Sequence, residues 1–140
     1  VAGLGDSFSS GEGAGDYGVP ATTRSCHVSA AGYGTGLVDQ LGLDRTRLTI
    51  RACTGARLSS IGGRYDDHDQ DPQLDGIDPS TSLVTMTIGG NDVDWSHVLA
   101  DCITKVYLPG TVDCRDGTEL DRSLEARIDA VGPRLAGALE

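Results

Sequence analysis

The chain has 140 residues, enough for one domain and hardly more. Eleven Lys+Arg against 21 Asp+Glu give a formal charge of −10, which repels phosphate backbones and anionic lipid surfaces and argues against a nucleic-acid partner. No apolar run reaches the length of a bilayer span, and no basic segment with an apolar stretch precedes Val1, so the expectation is a soluble chain, without an integral membrane segment, from which any signal peptide has been removed.

The first apolar run, Val1-Ala2-Gly3-Leu4, predicts a strand, and Gly5-Asp6-Ser7-Phe8-Ser9-Ser10-Gly11-Glu12-Gly13 follows it directly. A hydroxyl at the carboxyl end of a strand stands where open α/β sheets do chemistry. Gly5 and the glycines at 11, 13 and 15 allow a sharp turn that leaves main-chain N–H groups facing a ligand. Ser29 to Leu43 carries a helical pattern weakened by Gly32, Gly34 and Gly36; Leu48–Ala52 reads as a second strand, ending in the turn Arg51-Ala52-Cys53-Thr54-Gly55-Ala56. From Tyr65 to Asp78 the chain is acidic. Asp67, Asp69, Asp71 and Asp78 match ligand positions of a calcium loop, but Pro72 falls where the hinge needs Gly, so a solvated acidic loop is preferred and no metal is expected.

Leu83–Ile88 predicts a third strand, and Ile88-Gly89-Gly90-Asn91-Asp92 repeats the strand-to-loop arrangement with a carboxamide at its end. Asp92 and Asp94 suit the N-terminus of a helix running to Cys102. A longer helix over Leu120–Leu139 places Leu120, Leu124, Ile128, Val131 and Leu135 on one face, with Pro133 as a possible kink. Strands alternating with helices predict an α/β class with a parallel sheet. The chain opens inside a strand and stops with the helical pattern still running, so one domain over 1–140, incomplete at both ends, is expected.

The cysteines at 26, 53, 102 and 114 fit neither a zinc ribbon nor a dithiol pair. Disulfides are preferred over free thiols and imply an oxidising compartment. Three connectivities are open. The Leu108-Pro109-Gly110 bend favours 102–114, with 26–53 as the remainder.

A serine acts as a nucleophile only where a base takes its proton and donors stabilise the oxyanion. Ser7 is the candidate nucleophile, and the Gly55 N–H and the Asn91 carboxamide are candidate oxyanion donors; the base is not among them. Gly5-Asp6-Ser7-Phe8-Ser9, Ala52-Cys53-Thr54-Gly55-Ala56 and Ile88-Gly89-Gly90-Asn91-Asp92 together resemble the first three blocks of the SGNH (GDSL-type) hydrolases, in order, with the nearest likeness to secreted actinobacterial-type esterases and lipases. Cys26-His27-Val28-Ser29-Ala30-Ala31-Gly32-Tyr33 and Gln73-Leu74-Asp75-Gly76-Ile77-Asp78-Pro79 extend the likeness over essentially the whole chain.

The resemblance implies a flavodoxin-like three-layer α/β/α sandwich and the same cysteine pairs as the loop argument. It implies a secreted serine esterase or lipase, monomeric at full length, taking a small-molecule or lipid ester without a metal or organic cofactor. Ser7 would be the nucleophile; its own N–H, the Gly55 N–H and Asn91 would form the oxyanion hole, with Gly5, Asp6 and Asp92 in support. The family's histidine comes from an Asp-x-x-His segment after further βα units. Asp94-Trp95-Ser96-His97 spells that pattern but sits just past the third block, so His97 is not taken as the base; nor are His27 or His68, and the 140 residues alone are expected to be nearly inactive. Trp95 and Tyr17 are candidate crevice walls, although lone aromatics near strand ends usually serve packing.

Two other functions compete. One is an SGNH-like domain without catalysis, serving as an accessory or ligand-binding unit. The other is an anion-binding module on the first glycine-rich loop, which lacks the Gly-Lys-Ser/Thr of a P-loop, Lys105 being the only lysine.

Overall fold

The computed structural model describes residues 1–17, 25–107, 114 and 119–139. They form two compact units, Val1–Ile88 and Gly89–Glu140. No helix among the described residues is long and apolar enough to cross a membrane.

The first unit is built on a three-stranded parallel sheet. Strands β1 (Ala2–Gly5), β2 (Thr49–Ile50) and β3 (Val84–Thr87) lie in the order β2-β1-β3, so the chain's first strand is central. Register pairs Gly3 with Ile50 on one side and Gly5 with Thr87 on the other. Parallel neighbours require crossovers, and the intervening segments carry α1 (Ser7–Ser10), α2 (Tyr33–Gln40) and α3 (Ser59–Gly62). β1 is buried along its whole length, as expected of a central strand. The core beside it contains Cys26, Val28, Cys53 and Ala56, with Ile50, Tyr65 and Ile88 packed against them.

Two elements of this unit are shorter than the sequence predicts, for local reasons. The helix expected from Ser29 begins only at Tyr33. Ser29 Oγ accepts the Ala31 N–H at 3.0 Å and donates to the Gly15 carbonyl, and the Gly32 N–H bonds the Ser29 carbonyl, so the serine builds a turn where a helix would have started. β2 keeps only Thr49 and Ile50 of the expected Leu48–Ala52. The acidic loop closes on an arginine: Arg64 pairs with Asp66 at 3.1 Å, with Asp71 at 2.7 Å and with Asp69. Asp78 caps its own turn by accepting the Ser80 N–H at 2.7 Å, apart from the carboxylates that share Arg64.

The second unit is helical, with α4 (Trp95–Tyr107) and α5 (Glu119–Leu139), the latter continuous through Pro133. The sequence places the start of α4 at Asp92. The structure delays it, because Asp94 is left-handed (φ +62°) and the Asp92 and Val93 N–H groups first turn back onto the Gly89 carbonyl. Asp92 Oδ1 accepts from Arg134 at 2.6 Å, and Asp94 Oδ1 lies 2.6 Å from His97 Nδ1, which gives both presumed capping carboxylates ionic partners.

Disulfides join Cys26 to Cys53 and Cys102 to Cys114, the pairing favoured from the sequence. The Leu108-Pro109-Gly110 bend invoked for the second lies outside the described residues.

Candidate active site

Ser7 opens α1, immediately beyond the carboxyl end of the central strand. Asp6 makes this possible. Its buried carboxylate accepts the Phe8 N–H at 3.1 Å, capping the single turn, and the Thr87 hydroxyl at 3.1 Å, tying that turn to β3. Gly11, left-handed at φ +84°, closes the turn by donating to the Ser7 carbonyl. Ser9 adds a second tie to β3: its hydroxyl lies 2.7 Å from Thr87 Oγ1, accepts the Thr87 N–H at 3.0 Å and meets the Tyr33 hydroxyl at 3.0 Å. Ser9 and Thr87 support the Ser7 turn and were missed by sequence reasoning, since a serine two places after Ser7 carries no signal of its partner 78 residues away.

Gly5 is required by both conformation and space. Its φ is +117°, and a Cβ there would fall 1.9 Å from the Thr87 carbonyl oxygen. Gly55 is constrained likewise: φ is +73°, and a Cβ would meet the Tyr65 hydroxyl at 2.7 Å. The turn carrying Gly55 is attached to the segment around Ser7 by main-chain and side-chain bonds. The Cys53 N–H donates to the Gly5 carbonyl at 3.0 Å, and Glu12, just past α1, bonds the Thr54 side chain. Burial pushes Glu12 up, but the Thr54 bond and the bond and charge of His27 outweigh it and hold this carboxyl below its ordinary value.

Ser7 is half-buried, and among the described residues its hydroxyl has no hydrogen-bond partner. The main-chain N–H groups of Ser7 and Gly55 are also without partners there. Both N–H groups belong to half-buried residues, which leaves them open to water or to a ligand. Asn91 and Asp92 belong to the second unit and follow β3 directly in the chain.

The histidines are occupied elsewhere. His27 Nδ1 is 2.8 Å from the Glu12 carboxylate, its ring stacks on Tyr17 at 5.6 Å, and the Tyr17 hydroxyl accepts the Gly13 N–H at 2.6 Å. Tyr17 is thus a staple for the first loop. His68 stands 4.9 Å from the Tyr65 ring, and a ring nitrogen comes within 4.8 Å of the Cys26 and Cys53 sulfurs. Those sulfurs are bonded to each other and are not thiolates, so the group is no metal site. Tyr65 itself has its phenol raised by burial and by Asp67, partly offset by Arg57. His97 lies in α4 with Asp94, on the surface, and Trp95 beside it is half-exposed.

The chain is similar to known proteins over most of its length. The GDSL-like lipase/acylhydrolase family matches residues 4–137. A lipase of Streptomyces rimosus is 33% identical over 134 residues, covering 91% of this chain and 44% of that protein. Lipase 2 of Streptomyces coelicolor is 35% identical over 128 residues, covering 88% of this chain and 41% of its own length. The chain therefore spans less than half of these curated relatives. Phospholipase A1 from Streptomyces albidoflavus superposes with a TM-score of 0.69 at 26% identity, over 98% of this chain and 50% of that one. The extracellular lipase of Streptomyces rimosus superposes at 0.58 and 21% identity, over 99% of this chain and 73% of that one, a likeness of fold alone. With the parallel sheet, the ordered blocks and a family match running almost from end to end, the chain belongs to the GDSL-like lipase/acylhydrolase family.

Proposed function

We propose that the full-length protein is a secreted serine hydrolase that cleaves carboxylic esters through an acyl-enzyme on Ser7. The observation that carries this reading is the Ser7 hydroxyl at the end of the central strand, which, like the N–H groups of Ser7 and Gly55, has no partner among the described residues. Ser7 Oγ attacks the ester carbonyl carbon while its proton passes to the base. The resulting oxyanion accepts from the Ser7 N–H, the Gly55 N–H and the Asn91 carboxamide, each such donor contributing about 3 kcal/mol of transition-state stabilisation. Collapse expels the alcohol, which takes the proton from the base. Water, activated by the same base, then attacks the acyl-serine, releasing the carboxylic acid and restoring the hydroxyl. These steps call for no metal or organic cofactor.

The base is assigned to a histidine outside these 140 residues, because the family's Asp-x-x-His segment follows further βα units, whereas Asp94-Trp95-Ser96-His97 comes just past the third block. The 140 residues form part of one SGNH domain, monomeric at full length. The substrates are small-molecule or lipid esters, and the relatives' names, lipase and phospholipase A1, make lipid esters the first to try.

The test is ester hydrolysis by the full-length protein together with fluorophosphonate labelling. Ser7→Ala is expected to lower kcat at least about a thousandfold and abolish labelling, and Asn91→Ala to lower kcat by about a hundredfold to a thousandfold. A full-length protein that neither hydrolyses esters nor labels at Ser7 would instead be a family member that binds without turnover. Robust hydrolysis by the 140 residues alone, lost in His97→Ala, would overturn the assignment of the base.

A further inference from the structure

The ladder between β1 and β2 is broken where the chain turns toward Ser7. The N–H groups of Thr49, Arg51 and Cys53 donate in regular alternation to the carbonyls of Val1, Gly3 and Gly5 at 3.0, 2.8 and 3.0 Å. A parallel ladder would return the Gly5 N–H to the Arg51 carbonyl. Here two glutamines from the acidic loop intervene. Gln70 Nε2 donates to the Arg51 carbonyl at 2.7 Å, while the Gly5 N–H donates to Gln73 Oε1 at 2.7 Å and Gln73 Nε2 donates back to the Gly5 carbonyl at 2.9 Å.

Gln73 opens a 3-10 turn, Gln73–Gly76, and is fully buried. An amide brought into the interior is costly unless its polar atoms are bonded, and Gln73 meets that demand by holding both polar groups of one residue. That residue is two places before Ser7. On the opposite flank the Asp6 N–H donates to the Thr87 carbonyl at 2.9 Å, so the link from β1 to Ser7 is gripped by β3 on one side and by a side-chain amide on the other.

We propose that Gln73 is a positioning residue for the nucleophile: its carboxamide takes the place of the Arg51 carbonyl as partner of the Gly5 N–H and sets the turn that aims the Ser7 hydroxyl and the Ser7 N–H. The inference rests on Ser7 being the nucleophile. Acyl transfer depends on near-attack geometry, in which a misplacement of about 1 Å costs about a hundredfold in rate. A residue needed only to fill the core would not have to bond the main chain of the catalytic segment.

The experiment uses the full-length protein with Gln73→Leu, which keeps the volume and removes both bonds, and Gln70→Leu, which removes the neighbouring amide from the Arg51 carbonyl alone. Each is assayed for kcat, KM and fluorophosphonate labelling rate well below its own Tm. The expected result is a kcat and labelling rate for Gln73→Leu reduced about 10- to 100-fold with KM within about twofold, while Gln70→Leu keeps kcat within about twofold whatever its loss of Tm. Where Gln73→Leu does not fold, Gln73→Glu, which retains the acceptor for the Gly5 N–H, is expected to lower kcat at least about fivefold. Unchanged kcat in the Gln73 variants, equal losses in the two glutamine variants, or failure of every Gln73 variant to fold while Gln70→Leu folds would each overturn the proposal. A wild-type protein without Ser7-dependent hydrolysis would instead remove the assignment on which it rests.

Discussion

The two units are held together by different means. In Val1–Ile88 the fully buried side chains include polar ones: Ser10 and Gln73 stand among Leu4, Val38 and Ile61, and the disulfide's Cys53 has no exposure. In Gly89–Glu140 the buried hydrophobic residues among those described are Val93 and Val98, while Trp95, Leu99, Ile103 and Ile128 stay open to solvent. There the ties are made by partly exposed guanidinium groups, Arg127 to the Val93 carbonyl at 3.0 Å and Arg134 to Asp92 at 2.6 Å. The contrast shows where position is dictated. A buried main-chain or amide bond has no alternative partner when broken, whereas a bond made by an exposed side chain is readily replaced by water.

The largest difference is expected from one chemical change made in each unit of the full-length protein. Gly5→Ala forces a methyl group against the Thr87 carbonyl at a backbone angle that disfavours any side chain, and is expected to cost more than about 4 kcal/mol, read as loss of folded protein. Gly132→Ala, in a helix with open space around the added carbon, is expected to stabilise by about 0.5–1 kcal/mol in denaturant titration. Similar midpoints for the two would break the contrast.

Next come the crosslinks. Loop entropy alone assigns about 3.6 kcal/mol to Cys26–Cys53, with a sequence separation of 27, and about 2.8 kcal/mol to Cys102–Cys114, with a separation of 12. Packing widens that gap, because Cys26 and Cys53 are buried in the core cluster and Cys114 is exposed. Replacing the first pair with alanines is therefore expected to cost about 1–2 kcal/mol more than replacing the second. Equal costs would mean that the core closes over the lost sulfurs without penalty.

How much of this was legible in the sequence follows the same division. Each of the three apolar runs holds a strand, and Ser7 and Gly55 are visible because the turns that present them demand glycine or a small residue nearby. The order of blocks is a one-dimensional fact and survives folding. What the sequence conceals is competition for main-chain bonds. Ser29 reads as the start of a helix until its hydroxyl is seen to take the Ala31 N–H. Gln73 reads as one more polar residue in an acidic loop. Its burial follows from the early end of β2, which no periodicity reports, and from Gln70 occupying the Arg51 carbonyl. Asp92 and Asp94 have the composition of helix caps, but their partners Arg134, Arg127 and His97 include two arginines more than 30 residues away.

The smallest effect sharpens the contrast most finely, because it compares two His–carboxylate pairs. Glu12 and His27 are 2.8 Å apart and half-exposed; Asp94 and His97 are 2.6 Å apart, with the His97 side chain 78% exposed. For Glu12, burial raises the pKa but the Thr54 and His27 bonds outweigh it, so its folded value lies below the ordinary 4.5 of a glutamate. The unfolded chain then binds more protons across that interval, and the stabilisation is present in full above about 4.5 and fades as pH falls through the folded value. Exposure limits it to about 1 kcal/mol at most. Glu12→Gln is accordingly expected to lower stability near pH 6, with the difference from wild type closing in acid, whereas His97→Ala at the helix surface costs under about 0.5 kcal/mol. A Glu12→Gln deficit that persists unchanged at low pH would show that the hydrogen bond from Thr54, which a neutral amide can still accept, carries no part of the ionised form's advantage. The tie between the first loop and the Gly55 turn would then be one of packing, not charge.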